Sequence, residues 1–195
     1  MKKISLIITA VLLSTALFAQ TAANIGLKGG LNIASLKVED QESSDSRFGL
    51  HLGALAHIHL SPQFALQPEV VYSQQGMKTN VTGTETTFKL DYINIPLMVQ
   101  YMFSNGFRLE TGPQLGFLIN AQVGNLENKK DYKSTDVAWG VGLGYLSTSG
   151  LGINGRYNFG LTNINEFDPN NNLTNRVGQI SLFYMFNRAH KVQSR

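Results

Sequence analysis

Along most of the chain, apolar and polar side chains alternate one for one. From Leu151 to Thr162, Leu151, Ile153, Tyr157, Phe159 and Leu161 share one parity with Gly155. Gly152, Asn154, Arg156, Asn158, Gly160 and Thr162 take the other. A helix would mix these two sets, whereas a strand separates them onto opposite faces. The same alternation recurs from Phe107 to Asn120, where Phe107, Leu109, Leu115, Phe117 and Ile119 oppose Arg108, Glu110, Gln114 and Asn120. It recurs from Val137 to Leu146, with Val137, Trp139, Val141, Leu143 and Tyr145 against Ala138, Gly140, Gly142 and Gly144. Towards the C-terminus, Ile180, Leu182, Tyr184 and Phe186 oppose Gln179, Ser181, Phe183 and Met185.

The N-terminal half follows suit. Ile25, Leu27, Leu31 and Ile33 oppose Gly26, Lys28, Gly30 and Asn32. Phe48, Leu50, Leu52, Ala54 and Ile58 oppose Gly49, His51, Gly53, His57 and His59. Phe64, Leu66, Val70 and Tyr72 oppose Gln67, Glu69, Ser73 and Gln75. A fourth run sets Ile93, Ile95, Leu97, Val99, Tyr101 and Phe103 against Asn94, Met98 and Gln100. Upstream of it, Phe88 and Leu90 switch parity, which predicts a bulge or a strand start near Asp91. Pro96 falls inside this run, where a lost donor normally demotes a strand to an edge; a bulge or inward kink is the expectation there.

The polar sets are rich in Gly, Asn, Gln and Ser and poor in Lys and Glu. A face turned to water would carry more charge, so the large apolar sets are the outward ones. This inverts a soluble barrel and predicts an all-β, transmembrane antiparallel β-barrel of about eight strands. So narrow a barrel needs small inward residues, and Gly140, Gly142 and Gly144 meet that need.

The connections alternate in length. Ser61-Pro62-Gln63, Ser104-Asn105-Gly106 and Thr148-Ser149-Gly150 are tight turns with turn-forming residues. Lys37 to Ser46, Thr79 to Thr86, Ala121 to Thr135 and Asn163 to Asn175 are longer and polar. Short periplasmic turns and longer extracellular loops are the pattern of outer-membrane barrels. The outward aromatics sort by strand end. Phe64, Tyr101, Phe103, Phe107, Tyr145, Tyr184 and Phe186 lie near the turns; Phe48, Tyr72, Phe117, Trp139 and Phe159 lie toward the loops. Two aromatic girdles at the membrane boundaries are predicted from them.

The N-terminus adds a compartment. Met1-Lys2-Lys3 and the apolar run Ile4 to Phe18 precede Ala19-Gln20, the layout of an export signal cut after a small residue. The expected organisation is a signal peptide at 1–19, a barrel at 20–187 and a basic periplasmic tail at 188–195. Export to the cell outer membrane of a Gram-negative envelope follows. Without Lys2 and Lys3 the 16 basic residues fall to 14, against 13 acidic. No clustered basic face remains for nucleic acid. Cysteine is absent, which excludes disulfides and thiolate chemistry.

Three segments carry a family likeness: Asn24-Ile-Gly-Leu-Lys-Gly-Gly-Leu-Asn-Ile-Ala34, Leu66-Gln-Pro-Glu-Val-Val-Tyr-Ser-Gln-Gln-Gly76 and Tyr92-Ile-Asn-Ile-Pro-Leu-Met-Val-Gln-Tyr101. Over nearly the whole mature chain the sequence resembles the outer-membrane β-barrel "porin family", of OmpX/PorT-like small barrels. The resemblance implies the barrel fold, outer-membrane lipid and lipopolysaccharide as surroundings, and the barrel-assembly machinery as a partner in biogenesis. Because the family includes a PorT-like component of a protein-secretion system, it also allows that role. The chain departs from the usual ending by continuing past Phe186 with Asn187 to Arg195.

Candidate chemistry is sparse. Lys28, Glu69, Arg108, Glu110 and Arg156 all take the inward parity. They form either a selectivity lining or, as buried charges need partners, an ionic and hydrogen-bonded plug, the favoured reading. His51, His57 and His59 share a face, and Glu69 is the one ligand a neighbouring strand offers them. The histidines are read as lumen lining, with no metal site, no cofactor and no catalytic residue. Gly140-x-Gly142-x-Gly144 lacks the following helix that a phosphate loop requires. The Asn165 to Asn172 loop lacks calcium-loop spacing. The leading functional reading is a non-enzymatic barrel with a side-chain-filled interior, serving envelope structure or surface interaction. A narrow channel for small solutes and a PorT-like secretion or assembly component are the alternatives.

Overall fold

The computed structural model describes residues 23–38, 45–81, 84–124, 126–127, 129–168 and 172–186. The expected signal peptide and the basic tail lie outside the described residues. The elements are β1 (Asn24–Val38), β2 (Asp45–His59), β3 (Phe64–Val81), β4 (Thr84–Met102), β5 (Phe107–Val123), the two-residue β6 (Leu126–Glu127), a 3-10 turn (Lys129–Asp131), β7 (Thr135–Leu146), β8 (Leu151–Gly160) and β9 (Leu173–Met185). The strands run in the order β4-β3-β2-β1-β9-β8-β7-β5, and β5 pairs back with β4. The result is a closed, antiparallel, eight-strand barrel; β6 hangs outside the ring on β5. Closure satisfies every sheet edge, which a bilayer demands because lipid offers no hydrogen bonds. Among the described residues no helix is long and apolar enough to cross a membrane; the strands do that work, at 10 to 19 residues each.

The faces are inverted relative to a soluble protein. Leu52, Leu143 and Leu182 are 60% exposed or more, while Lys28, Glu69, Glu110 and Arg156 are buried. An apolar band on all eight strands, wrapped around a charged interior, is stable only with hydrocarbon outside.

The tight turns use glycine where a left-handed residue is required. Gly106 (φ 94°) and Gly150 (φ 90°) close two of them, their N–H groups donating to the carbonyls of Phe103 (3.1 Å) and Ser147 (3.0 Å).

Three local expectations are revised, and one, the irregularity near Asp91, is met with its extra residue on the neighbouring strand. The Thr79 to Thr86 connection continues as strand, β3 and β4 pairing out to Val81 and Thr84. The irregularity expected on β4 near Asp91 lies across the ladder, in β5. Asp91 pairs with Asn120 but Tyr92 pairs with Leu118, leaving Ile119 as the extra residue. The parity switch at Leu90 has a different cause, since Leu90 and Tyr92 are both buried inside the barrel. Pro96 causes no shift of register. Its strand pairs on either side in unbroken sequence, Pro68 with Leu97 and Val71 with Asn94, and only the steps between lapse. Ile58, of outward parity, is buried near the first turn, where it pairs with Leu66.

Candidate functional site

The lumen is filled in layers. At the turn end, Leu55, Leu146, Phe183 and Met185 form an apolar stopper. Arg108 lies over the Phe183 ring, 5.9 Å from its centroid, and its Nη1 donates to Gln100 Oε1 at 3.4 Å.

Above this stopper sits an ionic cluster. Lys28 Nζ donates to Glu69 Oε2 at 3.0 Å. Arg156 Nη1 and Nη2 donate to the two oxygens of Glu69 at 3.0 and 2.7 Å, and Arg156 Nε donates to Glu110 Oε1 at 2.6 Å. Neutral amides complete the carboxylates' coordination. Gln67 donates to Glu69 (2.8 Å), while Gln100 and Asn154 donate to Glu110 (2.9 and 3.1 Å). Two cations and two anions therefore cancel within one layer, each held by several partners, which is the condition for burying charge at tolerable cost. The glycines of β7 make the space. A Cβ on Gly142 would lie 2.9 Å from Glu110 Oε1, and one on Gly140 would lie 2.7 Å from Asn158 Oδ1.

The next layer is uncharged. His51 Nδ1 donates to Asn32 Oδ1 at 2.8 Å, so in the neutral ring Nε2 accepts from the Ser181 hydroxyl, also 2.8 Å away. Asn32 Nδ2 donates to Ser73 (2.9 Å), Gln179 to Asn32 (3.0 Å) and Asn158 to Gln179 (3.0 Å). Higher still, Asp136 accepts from Thr162 and Asn175, both at 2.8 Å.

A second apolar stopper closes the loop end: Leu36, Leu90, Tyr92, Leu118, Ala121 and Ile164. Ile164 comes from the last long loop, which is stitched to the preceding one. Lys133 N–H donates to the Ile164 carbonyl, and Glu166 N–H to that of Asp131, each at 2.9 Å; Tyr132 and Asn165 form a β-bridge. The joined loops lie over the mouth and turn Leu126 and Phe167, 76% and 82% exposed, outward.

The structure thus brings Lys28, Glu69, Glu110 and Arg156 into one cluster, with Arg108 beside it against the lower stopper. The twelve aromatics expected to form girdles all take outward positions, from Phe48, 72% exposed, to the half-buried Tyr72, Tyr101 and Phe159. Phe64, Tyr101 and Phe103 touch edge to face at the turn end, as do Phe107 with Tyr145 and Tyr184 with Phe186. At the loop end Trp139 Nε1 donates to Thr111 (2.9 Å). His57 and His59 meet edge to face, 4.7 Å apart, while Glu69, their one suggested co-ligand, has both oxygens engaged by cations. Among the described residues no group of three or more metal-ligating side chains occurs. Sequence reasoning missed the two apolar stoppers. Leu90 and Tyr92, with the wrong parity for a lipid face, were the signal for the upper one.

A family model described as "Outer membrane protein beta-barrel domain" matches residues 18–166. Among curated proteins, none matches by sequence. Among solved structures, Neisserial surface protein A (NspA) is similar at TM-score 0.60, with 16% identity over 85% of this chain and 99% of that one. Ail, the attachment invasion locus protein of Yersinia pestis, is similar at TM-score 0.53, with 11% identity over 84% of this chain and 99% of that one.

Proposed function

Since the chain belongs to the outer-membrane β-barrel domain family, we propose that it acts as a closed, non-enzymatic barrel whose work is done on its loop surface, in envelope structure or surface interaction. The observation that carries this reading is the stoppered lumen. Apolar clusters at both ends enclose an ionic layer whose side chains join opposite walls, so an ion entering from either side would have to displace salt-bridged groups. The joined loops favour a surface role, because backbone bonds hold them to one another while Phe167 beside the junction is 82% exposed.

The test is electrical. Purified barrel inserted into planar bilayers is expected to give no discrete conductance steps. Steps that persist with preparations free of other porins would instead establish the narrow-channel reading. Stable co-purification of the barrel with an envelope translocation complex would replace the surface role with a secretion or assembly one.

A further inference from the structure

The barrel wall is of two kinds. Among the described residues, the β1–β2, β1–β9, β8–β9, β7–β8 and β5–β7 ladders run without a break. The other three, besides shifts nearer the loops, each lose two consecutive steps. Pairing lapses at Ala56 and His57 against Gln67 and Pro68, at Glu69 and Val70 against Ile95 and Pro96, and at Leu97 and Met98 against Gly112 and Pro113. Every lapse contains one proline, which has no N–H to give its neighbour. Pro68 is itself paired with Leu97, so the lapses join into one line across β2 to β5.

The ionic cluster divides along the same boundary. Both carboxylates come from the interrupted wall, Glu69 from β3 and Glu110 from β5 at its border. The glutamines that support them, Gln67 and Gln100, come from β3 and β4. Both cations come from the intact wall, Lys28 from β1 and Arg156 from β8, with Asn154 of β8 donating beside Arg156. Four charge-assisted hydrogen bonds, 2.6 to 3.0 Å long, therefore cross from the intact wall to the interrupted one. Such bonds are about twice as strong as neutral ones. Three of the four end on Glu69, which stands in a lapse, opposite Pro96.

We infer that the ionic cluster is a clamp on this line. It holds β3 and β4 in the closed wall where the ladder does not, and its release lets these two strands open locally while the unbroken ladders stay formed. Local opening favours the parts of a fold that are held by the fewest bonds, and here the backbone bonds are missing at the level where the side-chain bonds gather. The clamp acts on the wall itself and does not depend on the surface role proposed above.

Hydrogen–deuterium exchange of the folded full chain in lipid vesicles, read by mass spectrometry, follows the opening strand by strand. In Glu69→Gln, amides of residues 65–71 and 93–99 are expected to exchange about tenfold faster or more, the worth of a hydrogen bond to a charged group. Residues 151–159 and 176–184, on the unbroken β8–β9 ladder, should keep their rates. Leu118→Ala opens a cavity in the loop-end stopper and supplies the comparison: its faster exchange should centre on the mouth and not follow the line. Adding Pro113→Val to Glu69→Gln returns one donor to the line and should restore part of the protection at 97–99. Equal acceleration of every strand by Glu69→Gln, or unchanged rates at 65–71, overturns the clamp. Should Glu69→Gln fail to fold, Gln67→Ala removes one neutral bond to Glu69 and leaves the charges paired. It should speed exchange about threefold in the same two segments, and a change confined to other strands overturns the clamp as well.

Discussion

Arg156 of β8 and Glu69 of β3 meet through two parallel charge-assisted hydrogen bonds, 3.0 and 2.7 Å long, although 87 residues separate them. In the ring order they stand four strands apart, on opposite walls. Lys28 on β1 and Glu110 on β5 occupy the two quarter points between them, so every second strand contributes one charge. The lumen is braced across one diameter by Arg156 and Glu69, with Lys28 bonded to Glu69 and Glu110 bonded to Arg156 beside it.

This brace predicts a steep asymmetry between removing one charge and removing all four. Arg156→Ala strands Glu69 and Glu110 without their shared partner and should cost about 3–5 kcal/mol. Replacing all four members together, Lys28→Met and Arg156→Met with Glu69→Gln and Glu110→Gln, leaves no buried charge without a partner and should cost much less, since the neutral replacements need no compensating charge. Urea titration of the barrel in lipid vesicles measures both. A loss within 1 kcal/mol for Arg156→Ala would show the cluster to be hydrated and loose.

Gly142 and Gly155 are cross-strand neighbours facing opposite ways, and they should respond oppositely to a methyl group. The Cβ of Gly142→Ala enters the lumen, 2.8 Å from the Gly155 carbonyl oxygen and 2.9 Å from Glu110 Oε1. It should cost about 1–3 kcal/mol by overpacking. Gly155→Ala has nothing within 4 Å of its Cβ and should change stability by less than about 0.5 kcal/mol. Equal effects in the same vesicle titration would argue against a tightly filled lumen.

Much of this architecture is legible in the sequence, for a definite reason. Strand periodicity is 2, so parity alone assigns Lys28, Glu69, Arg108, Glu110 and Arg156 to one face and Leu143 and Leu182 to the other. The small turns and longer loops then give closure and direction. Parity does not say who meets whom. That Arg156 reaches Glu69 depends on the shear and order of the closed ring, which no local pattern records. Nor does parity tell an apolar residue facing lipid from one capping the lumen. The parity switch at Phe88 and Leu90 therefore predicts a bulge or strand start near Asp91, whereas Leu90 joins Tyr92 in a stopper on a strand whose register with β3 is unbroken. Ile164 was hidden in a polar loop, Asn163 to Asn175, whose fold over the mouth depends on backbone bonds to another loop.

Three prolines lie side by side in the wall, and each leaves a gap in the ladder. Pairing lapses around Pro68 between β2 and β3, around Pro96 between β3 and β4, and around Pro113 between β4 and β5. Pro113 faces outward, opposite Leu97, between the pairs Pro96–Gln114 and Val99–Thr111. Pro113→Val supplies the missing N–H without entering the lumen. It should stabilise the barrel by about 1 kcal/mol, the usual net worth of a hydrogen bond, and slow amide exchange in the flanking residues of β4 and β5. A destabilised variant would mean that the proline's fixed φ matters more there than the donor it lacks.

The orientation of the faces is the premise beneath all these readings, and it can be tested directly because the chain contains no cysteine. Leu143 and Leu182 are each 60% exposed at the wall, while Ser181, one residue from Leu182, is buried and bonded to His51. Fluorophores on Val141→Cys, Leu143→Cys and Leu182→Cys should be quenched by lipid-soluble quenchers in reconstituted vesicles. Ser181→Cys should resist labelling in the folded barrel and become reactive only in denaturant. Leu143→Arg adds an energetic arm. A guanidinium on the lipid face must enter hydrocarbon or distort the bilayer, at a cost of about 2–4 kcal/mol near the midplane, whereas on a water-exposed wall it would cost almost nothing. Quenching at positions 141, 143 and 182, together with that loss for Leu143→Arg, is the expected result. Labels there that respond only to aqueous quenchers, with Leu143→Arg neutral, would place this wall in water and reverse the barrel.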